Sequence, residues 1–381
     1  MTIPNDNTAG GKAPTVNEPN VWIDLDNSPH VHFFAPIVRS LECHGVKYFI
    51  TIRSYSQTED LARKYGLKCV VIGEHRTPRH LHTRVTAGVR RAVRLTQYAS
   101  NFKPTVAISH GSRGLTLASC WLRIPAMTFY DYEFGSLRFF NIVSKKVMVP
   151  AAIPAERLRR QGLTHKKLIA YPGFKEEVYL YDFRPDPGVL SELELDSNQI
   201  IVTLRPPATW AHYQDPRSEV LLSALLERLV QRPDVQVVIP TRTEAQAGML
   251  RAKYSPRASN FKIFARGVDG LSLMWYSDAV FSGGGTMVRE AAILGRTAYS
   301  IFAGKLGAAD EALATLGLLK LIREEKEIDC LEVHKSPTGK PASIINSHTR
   351  DFVLREIHKF ICNHLDHEVP GIYCRDGDRV S

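Results

Sequence analysis

Short apolar runs alternate with longer amphipathic ones along this sequence, and the alternation breaks off once and then starts again. In the first half, strand-like runs at "VWIDL", "KYFITI", "CVVI", "TVAIS", "AMTFY" and "KVMV" are separated by helix-like segments such as "APIVRSLECHG", which stops at Gly45. "YPGFKEEVYLYDFRPDPG" then interrupts with Pro, Gly and aromatic residues, as an interdomain hinge would. The pattern resumes with "QIIVTL", the helical "SEVLLSALLERLV", "VQVVIP", "FKIF", "DAVFSGGG", "TMVREAAILG" and "TAYSIF". Apolar strands joined by helices imply parallel sheets covered on both faces. The expected fold class is therefore α/β, with two Rossmann-like domains and an interdomain cleft. The expected boundaries are a polar tail over 1–20, a first domain over 21–175 and a second over 176–345, then a closing helix over 346–365 and a tail over 366–381.

The 381 residues leave room for two cores, and 44% hydrophobic with 23% charged content is globular. The opening "MTIPNDNTAGGKAPTVNEPN" has no apolar centre of a secretory signal, and no run reaches the length of a membrane span. Six scattered cysteines form no C-x-x-C pair, so neither a zinc site nor a disulfide framework is expected, and a reduced, cytoplasmic setting follows. A formal net charge of +10 suits an anionic partner. Without a zinc finger, an RNA-binding signature or a long basic arm, that partner is not expected to be nucleic acid.

The most informative stretch is "DAVFSGGGTMVREAAILG". An apolar strand, Ala279 to Phe281, runs into Ser282, Gly283, Gly284 and Gly285, and a helix begins near Thr286. Glycines let backbone amides approach an anion closely, and a helix start adds partial positive charge, so a diphosphate suits the place. Glu290 lies about one turn past Thr286, where its carboxylate can accept from a ribose diol. The plainer alternative is a tight turn followed by an ordinary surface glutamate. Arg205 follows a strand at the opening of the second domain, where parallel sheets bind ligands. It is either a second phosphate clamp or a solvated loop arginine.

"VWIDLDNSPHVHFFAP" offers three chemistries: a metal pair, a histidine acid–base group, or a plain scaffold loop. Asp24 and Asp26 share a face only while the chain stays extended. With Ser28 as N-cap and Pro29 opening the helix, His30 and His32 fall roughly 200° apart around its axis, too divergent for one metal. No metal is expected. One histidine at the mouth of the cleft, His30 ahead of His32, is the candidate base for an acceptor hydroxyl, since an unperturbed pKa near 6.5 suits neutral pH. The alternative is a pair of histidines satisfied by local hydrogen bonds. "ISHGSRG" and "FYDYEFGS" also end strands of the first domain. His110, Ser112 and Arg113 are therefore acceptor-side candidates and Asp131 and Glu133 acid–base candidates, each alternatively a loop-stabilising residue.

On these residues the chain resembles the GT-B-type superfamily of nucleotide-sugar enzymes, and within it a microbial family known as a domain of unknown function. "SPHVHFFAP" and "SGGGTMVREAAILG" are the most specific parts, and the likeness runs from Val21 to about Leu365. The resemblance implies GT-B architecture without a cofactor or metal, the diphosphate on Ser282, Gly283 and Gly284, the ribose on Glu290, and the base near Val268. Non-hydrolysing UDP-N-acetylglucosamine epimerases are a second likeness, with departures. Their first loop reads Arg-Pro-Glu where this chain has Ser28, Pro29 and His30, and their Thr-His-Arg stands where it has Thr203, Leu204 and Arg205. Asp131 and Glu133 lie where epimerases keep catalytic carboxylates.

"RHLHTRVTAGVRRAVRLTQYAS" projects as an amphipathic helix with Leu81, Val85, Val89, Ala92 and Thr96 on one stripe and Arg84, Arg91 and Arg94 beside it. With His75, Arg76, Arg79 and Arg90 nearby, it is read as a peripheral contact with the inner face of a membrane or with a lipid-linked acceptor, or else as a solvated face. The expected activity is transfer of a sugar from a nucleoside diphosphate donor, UDP foremost, to an unknown acceptor. The alternatives are epimerisation of the same ligand and binding without catalysis.

Overall fold

The computed structural model describes residues 20–54, 57–74, 81–135, 137–207, 215–336 and 345–364. The expected tails at 1–20 and 366–381 lie outside these, except for Asn20, which opens the first strand. Two parallel sheets form. The first joins β1 (Asn20–Leu25), β2 (Lys47–Ser54), β3 (Cys69–Glu74), β4 (Val106–His110), β5 (Ala126–Phe129), β6 (Lys146–Pro150) and β7 (Leu168–Tyr171) in the order β3-β2-β1-β4-β5-β6-β7. The second joins β8 (Ile200–Arg205), β9 (Val235–Pro240), β10 (Phe261–Phe264), β11 (Ala279–Ser282), β12 (Thr297–Ser300) and β13 (Leu319–Leu321) in the order β10-β9-β8-β11-β12-β13. The α/β class with two Rossmann-like units is as the sequence leads one to expect.

The central strands are apolar on both faces: Val21, Trp22, Ile23 and Leu25 of β1 are all buried. The helix Ser28–Cys43 covers β1 with Phe33, Phe34, Ile37, Val38 and Leu41, spaced at the helical period. It begins one residue earlier than expected: Asn27 is the N-cap, its side chain accepting from the Ser28 N–H. β7 and β13, of four and three residues, were not legible in the sequence; both are edge strands too short to show a period.

Each sheet reverses its direction of growth once, between β1 and β4 and again between β8 and β11. At such a reversal the loops leaving neighbouring strands diverge, and a crevice opens beyond the strands' carboxyl ends. The two lobes are not separate bodies. One apolar cluster runs from Phe33, Phe34 and Ile37 through Tyr171, Phe174 and Tyr179 to Val288, Ala291 and the final helix Ser347–Cys362. That helix packs on β7 and on the short helix Glu177–Leu180, so the chain crosses between the lobes twice. Cys362 is disulfide-bonded, where the scattered spacing led us to expect no disulfide framework. Cys43, Cys69, Cys120 and Cys330 are free.

Candidate functional site at the two facing switch points

The carboxyl ends of the two sheets meet along a seam. On one flank the Gln57 amide donates to the carbonyls of Ala265 and Arg266, at 3.3 and 2.8 Å, and Lys64 pairs with Asp269 at 2.8 Å. On the other, Tyr132 donates to the Lys305 carbonyl at 3.0 Å, and Glu133 accepts from the Ala308 N–H at 3.0 Å. The two crevices lie between these flanks.

In the second lobe, β11 delivers the glycines to the start of the helix Gly285–Ile293. Its N-cap, Gly284, is extended and offers no side-chain cap, so the first-turn amides lack intrahelical partners. The turn consumes two of the glycine amides: Gly283 donates to the Arg205 carbonyl at 3.0 Å and Gly284 to Ser282 Oγ at 3.1 Å. Of the amides expected to face an anion, those of Gly283 and Gly284 are thus engaged within the turn, which leaves Gly285, Thr286 and the next residue at the helix start. Gly283 is needed for space, because a Cβ there would stand 2.5 Å from Pro207 Cγ and 2.7 Å from its backbone. Arg205 Nη1 donates to the Pro240 and Thr241 carbonyls, at 2.8 and 3.2 Å, which fixes its guanidinium at the end of β8. Arg242, which the sequence reading passed over, reaches across: its Nη1 donates to the Pro206 carbonyl at 2.6 Å, and its Nη2 is 3.2 Å from where a Gly284 side chain would begin. Val268 is half-buried against the cluster of Val189, Leu193 and Leu273, on the loop before Gly270–Tyr276.

Glu290 points into the seam. It is 6% exposed and accepts from Tyr179 Oη at 2.7 Å. Burial raises its pKa to about 7, against the Tyr179 hydrogen bond and with help from Glu176. Tyr179 in turn stacks on His32, whose Nδ1 is 2.7 Å from Tyr65 Oη. His32 is thus enclosed by two tyrosines with its Nδ1 engaged by one of them, so the acid–base role considered for it is withdrawn.

At the first lobe's crevice, His30 and His110 lie with ring centroids 4.7 Å apart. His30 Nδ1 accepts from the Asp26 N–H at 3.3 Å, and burial, reinforced by His110 and Lys175, holds its pKa well below 6.5. The lone pair wanted of a base is engaged, and the unperturbed titration expected for His30 is not what its surroundings give. His110, held at about 4 chiefly by burial, has an Nε2 with no hydrogen-bond partner among the described residues, 3.8 Å from Asp131 Oδ1.

Asp131 sits in a buried charged hub. Lys175 Nζ is 2.5 Å and Arg289 Nη2 2.6 Å from Asp131 Oδ2, and Arg289 also binds Glu176 at 2.9 Å and Asp310 at 3.3 Å. Burial opposes ionisation of Asp131, but Lys175 and Arg289 outweigh it and hold the carboxyl well below its ordinary range. Arg289 Nη1 also lies 2.7 Å from where a Gly285 side chain would begin, so the hub connects the two crevices. Lys175, Glu176, Arg289 and Asp310 were missed. The signal was present as "KEE" inside the stretch read as a hinge and as the arginine beside Glu290.

Three further expectations are corrected. Glu133 is fully buried and bound to Arg157 at 2.6 Å and to the Ala308 N–H, a brace for the helix Ala308–Thr315 rather than an acid or base. Ser112 is buried as the N-cap of Arg113–Trp121 and donates to Asp24 at 2.5 Å, so it does not face an acceptor; Arg113 beside it is exposed. Arg91, placed on the basic outer face, is 4% exposed and forms a forked pair with Asp24 at 2.9 and 2.8 Å. The helix Leu81–Ser100 buries Ala92, Leu95 and Ala99, and it leaves Val89 and Val93 42% and 41% exposed beside Arg90 and Arg94. Residues 75–80, with His75, Arg76 and Arg79, and the side chains of Leu81, Arg84 and Val85 lie outside the described residues. Among those described, no helix is long and apolar enough to cross a membrane.

Two parallel sheets whose reversals face each other across a seam define a two-lobed protein of the GT-B type. UDP-GlcNAc 2-epimerase of Methanocaldococcus jannaschii, solved with UDP-GlcNAc and UDP, superposes with a TM-score of 0.68 at 14% identity over 89% of this chain and 99% of its own. A glycosyltransferase of Rickettsia africae gives 0.55 at 13% identity over 92% and 100%. The chain belongs to the family described as protein of unknown function (DUF354), whose model matches residues 19–361. An uncharacterized protein of Methanocaldococcus jannaschii is 27% identical over 353 residues, 91% of this chain and 98% of its length.

Proposed function

We propose that this protein transfers a sugar from a nucleoside diphosphate, UDP foremost, to an acceptor hydroxyl. The observation that carries the reading is the uncapped start of Gly285–Ile293 at the reversal of the second sheet, beside Arg205 and Arg242 and facing His110, Asp131 and Lys175. Helix amides and arginines receive the diphosphate and stabilise charge on it as the sugar leaves. Glu290 accepts from the ribose with the oxygen that Tyr179 leaves over. His110 takes the acceptor's proton at Nε2, and Asp131, kept ionised by Lys175 and Arg289, stabilises the imidazolium that forms. The solved relative's ligands, UDP-GlcNAc and UDP, support the choice of nucleotide.

A second reading is epimerisation of the same ligand, favoured by the epimerase likeness and by an acid–base pair at Asp131 and His110. Against it, Methanocaldococcus jannaschii holds both a UDP-GlcNAc 2-epimerase and a distinct relative of this chain. The test is incubation with UDP-GlcNAc in deuterated water, with and without a panel of acceptors. Acceptor-dependent UDP release without deuterium uptake is expected. Deuterium appearing on sugar carbon without an acceptor establishes the epimerase, and absence of any nucleotide-induced thermal shift removes both readings.

A further inference from the structure

We propose that the first lobe's switch point binds a phosphoryl anion, so that the acceptor is a phosphorylated molecule. This rests on the transferase reading above and specifies its second substrate. The crevice beyond β1 and β4 mirrors the one beyond β8 and β11, and helices begin there too, at Ser28 and at Arg113.

The chemistry of its walls is cationic. Arg53, at the end of β2, stands 2.9 Å from Asp26; Arg91 is forked onto Asp24 and 3.6 Å from Asp26; exposed Arg113 is near enough to act on the Asp26 charge. Three arginines thus meet two aspartates. The buried arginine is deliberately accommodated: side chains at Gly73 and Gly114 would begin 3.2 Å and 2.8 Å from its own atoms, and it donates to the Ile72 carbonyl and towards Ser112 Oγ. A buried ion pair of this kind is seldom a net source of stability, and with its donors taken by Ile72, Asp24 and Ser112 this arginine adds positive charge behind the crevice rather than a contact. Forked guanidinium donors match phosphate oxygens. Asp26 is the internal competitor. Its Oδ1 is buried with no well-formed hydrogen bond among the described residues, although Arg53 lies close. A phosphate entering beside Asp26 would take over part of the arginine field that the carboxylate now holds. The phosphate could be free in solution or borne by a lipid, and the chemistry is shared.

The test uses the full-length protein saturated with UDP, which blocks the second lobe's site. It is titrated with inorganic phosphate by calorimetry, and separately mixed with phosphatidylcholine vesicles with and without phosphatidic acid. Arg113→Gln, an exposed change, is expected to weaken phosphate or phosphatidate binding about tenfold, the size of one charge-assisted contact. Asp26→Asn is expected to tighten it several-fold, opposite in sign to what loss of a structural ion pair would do, and neither change alters UDP affinity. Phosphate binding sensitive to Arg113→Gln supports a soluble phosphorylated acceptor, and phosphatidate binding with the same sensitivity supports a lipid-borne one. No binding of either probe, binding indifferent to Arg113→Gln, or weakening by Asp26→Asn overturns the proposal. Failure of UDP to bind, with Arg113-dependent phosphate binding intact, removes the transferase reading and leaves the anion site standing.

Discussion

Glu290 carries a stability cost, and under the proposed function it is also a ligand contact. Its pKa, raised from 4.5 to about 7 by burial, means that the folded protein holds a proton the unfolded chain has already released. Stability from this group is complete below pH 4.5 and is lost as pH rises to about 7, on the order of 3 kcal/mol in all. Glu290→Gln should remove that part of the slope, seen as urea midpoints that fall less between those pH values than in the native protein, while the buried Glu177 keeps its own share. A ribose diol donates to the ionised form, so UDP affinity should rise about tenfold from pH 6 to pH 8 in the native protein and stay flat in Glu290→Gln, as calorimetry would show. The place of Glu290 on the helix that follows the glycines was legible because its spacing from them is local. Arg91 was not: in its helix it looks like Arg90 and Arg94, and only the approach of β1 puts Asp24 beneath it. Arg91→Ala strands a buried aspartate and is expected to cost about 3–5 kcal/mol in denaturant unfolding; Asp24→Asn combined with Arg91→Met should recover much of it. A variant with Arg91→Ala alone that unfolds like the native protein would contradict the buried pair.

Among elements, legibility followed length and location. Long central strands with both faces buried announce themselves by composition, whereas β7 and β13 are too short for any period to register. The helix Leu81–Ser100 was recognised and Ala92 of its expected stripe is buried, but Val89 is exposed and Thr96 only half-buried, and Arg91, Leu95 and Ala99 complete the buried face instead. An arginine with a buried partner belongs to the inner face, and a pattern counting apolar residues alone assigns it to the outer. The glycine turn was placed correctly at a strand-to-helix junction, but not the division of labour within it. Gly283 sits against Pro207 and is a spacing residue, while Gly285 opens the helix. Gly283→Ala should push the end of β8 away from β11, costing about 1–3 kcal/mol in thermal unfolding and lowering UDP affinity with it. An alanine there that leaves both unchanged would mean that the two loops are not held in contact in solution.

At the scale of the whole molecule, the hub around Arg289 determines how the lobes sit. Its guanidinium joins Asp131 of the first lobe, Glu176 of the connecting segment and Asp310 of the second, and Lys175 is the other cation within it. Local sequence shows pieces of this junction, in "KEE" and the arginine beside Glu290, but not their meeting, since its members lie on four separate segments and come together only after both sheets have formed. Arg289→Met leaves three carboxylates around one ammonium in a place with little water. Repulsion and the recovery of hydration both act to separate the lobes, while the shared apolar cluster through Phe174 and Tyr179 keeps them attached. The variant should therefore have a larger radius of gyration by small-angle X-ray scattering at neutral pH. Acidification should return it towards the native value, because Asp310, whose pKa burial already raises, protonates early and relieves the repulsion. Donor binding should also be weakened, since Gly285 and the first lobe no longer approach each other. A variant that is less stable yet equally compact at every pH would reduce the hub to ordinary core packing.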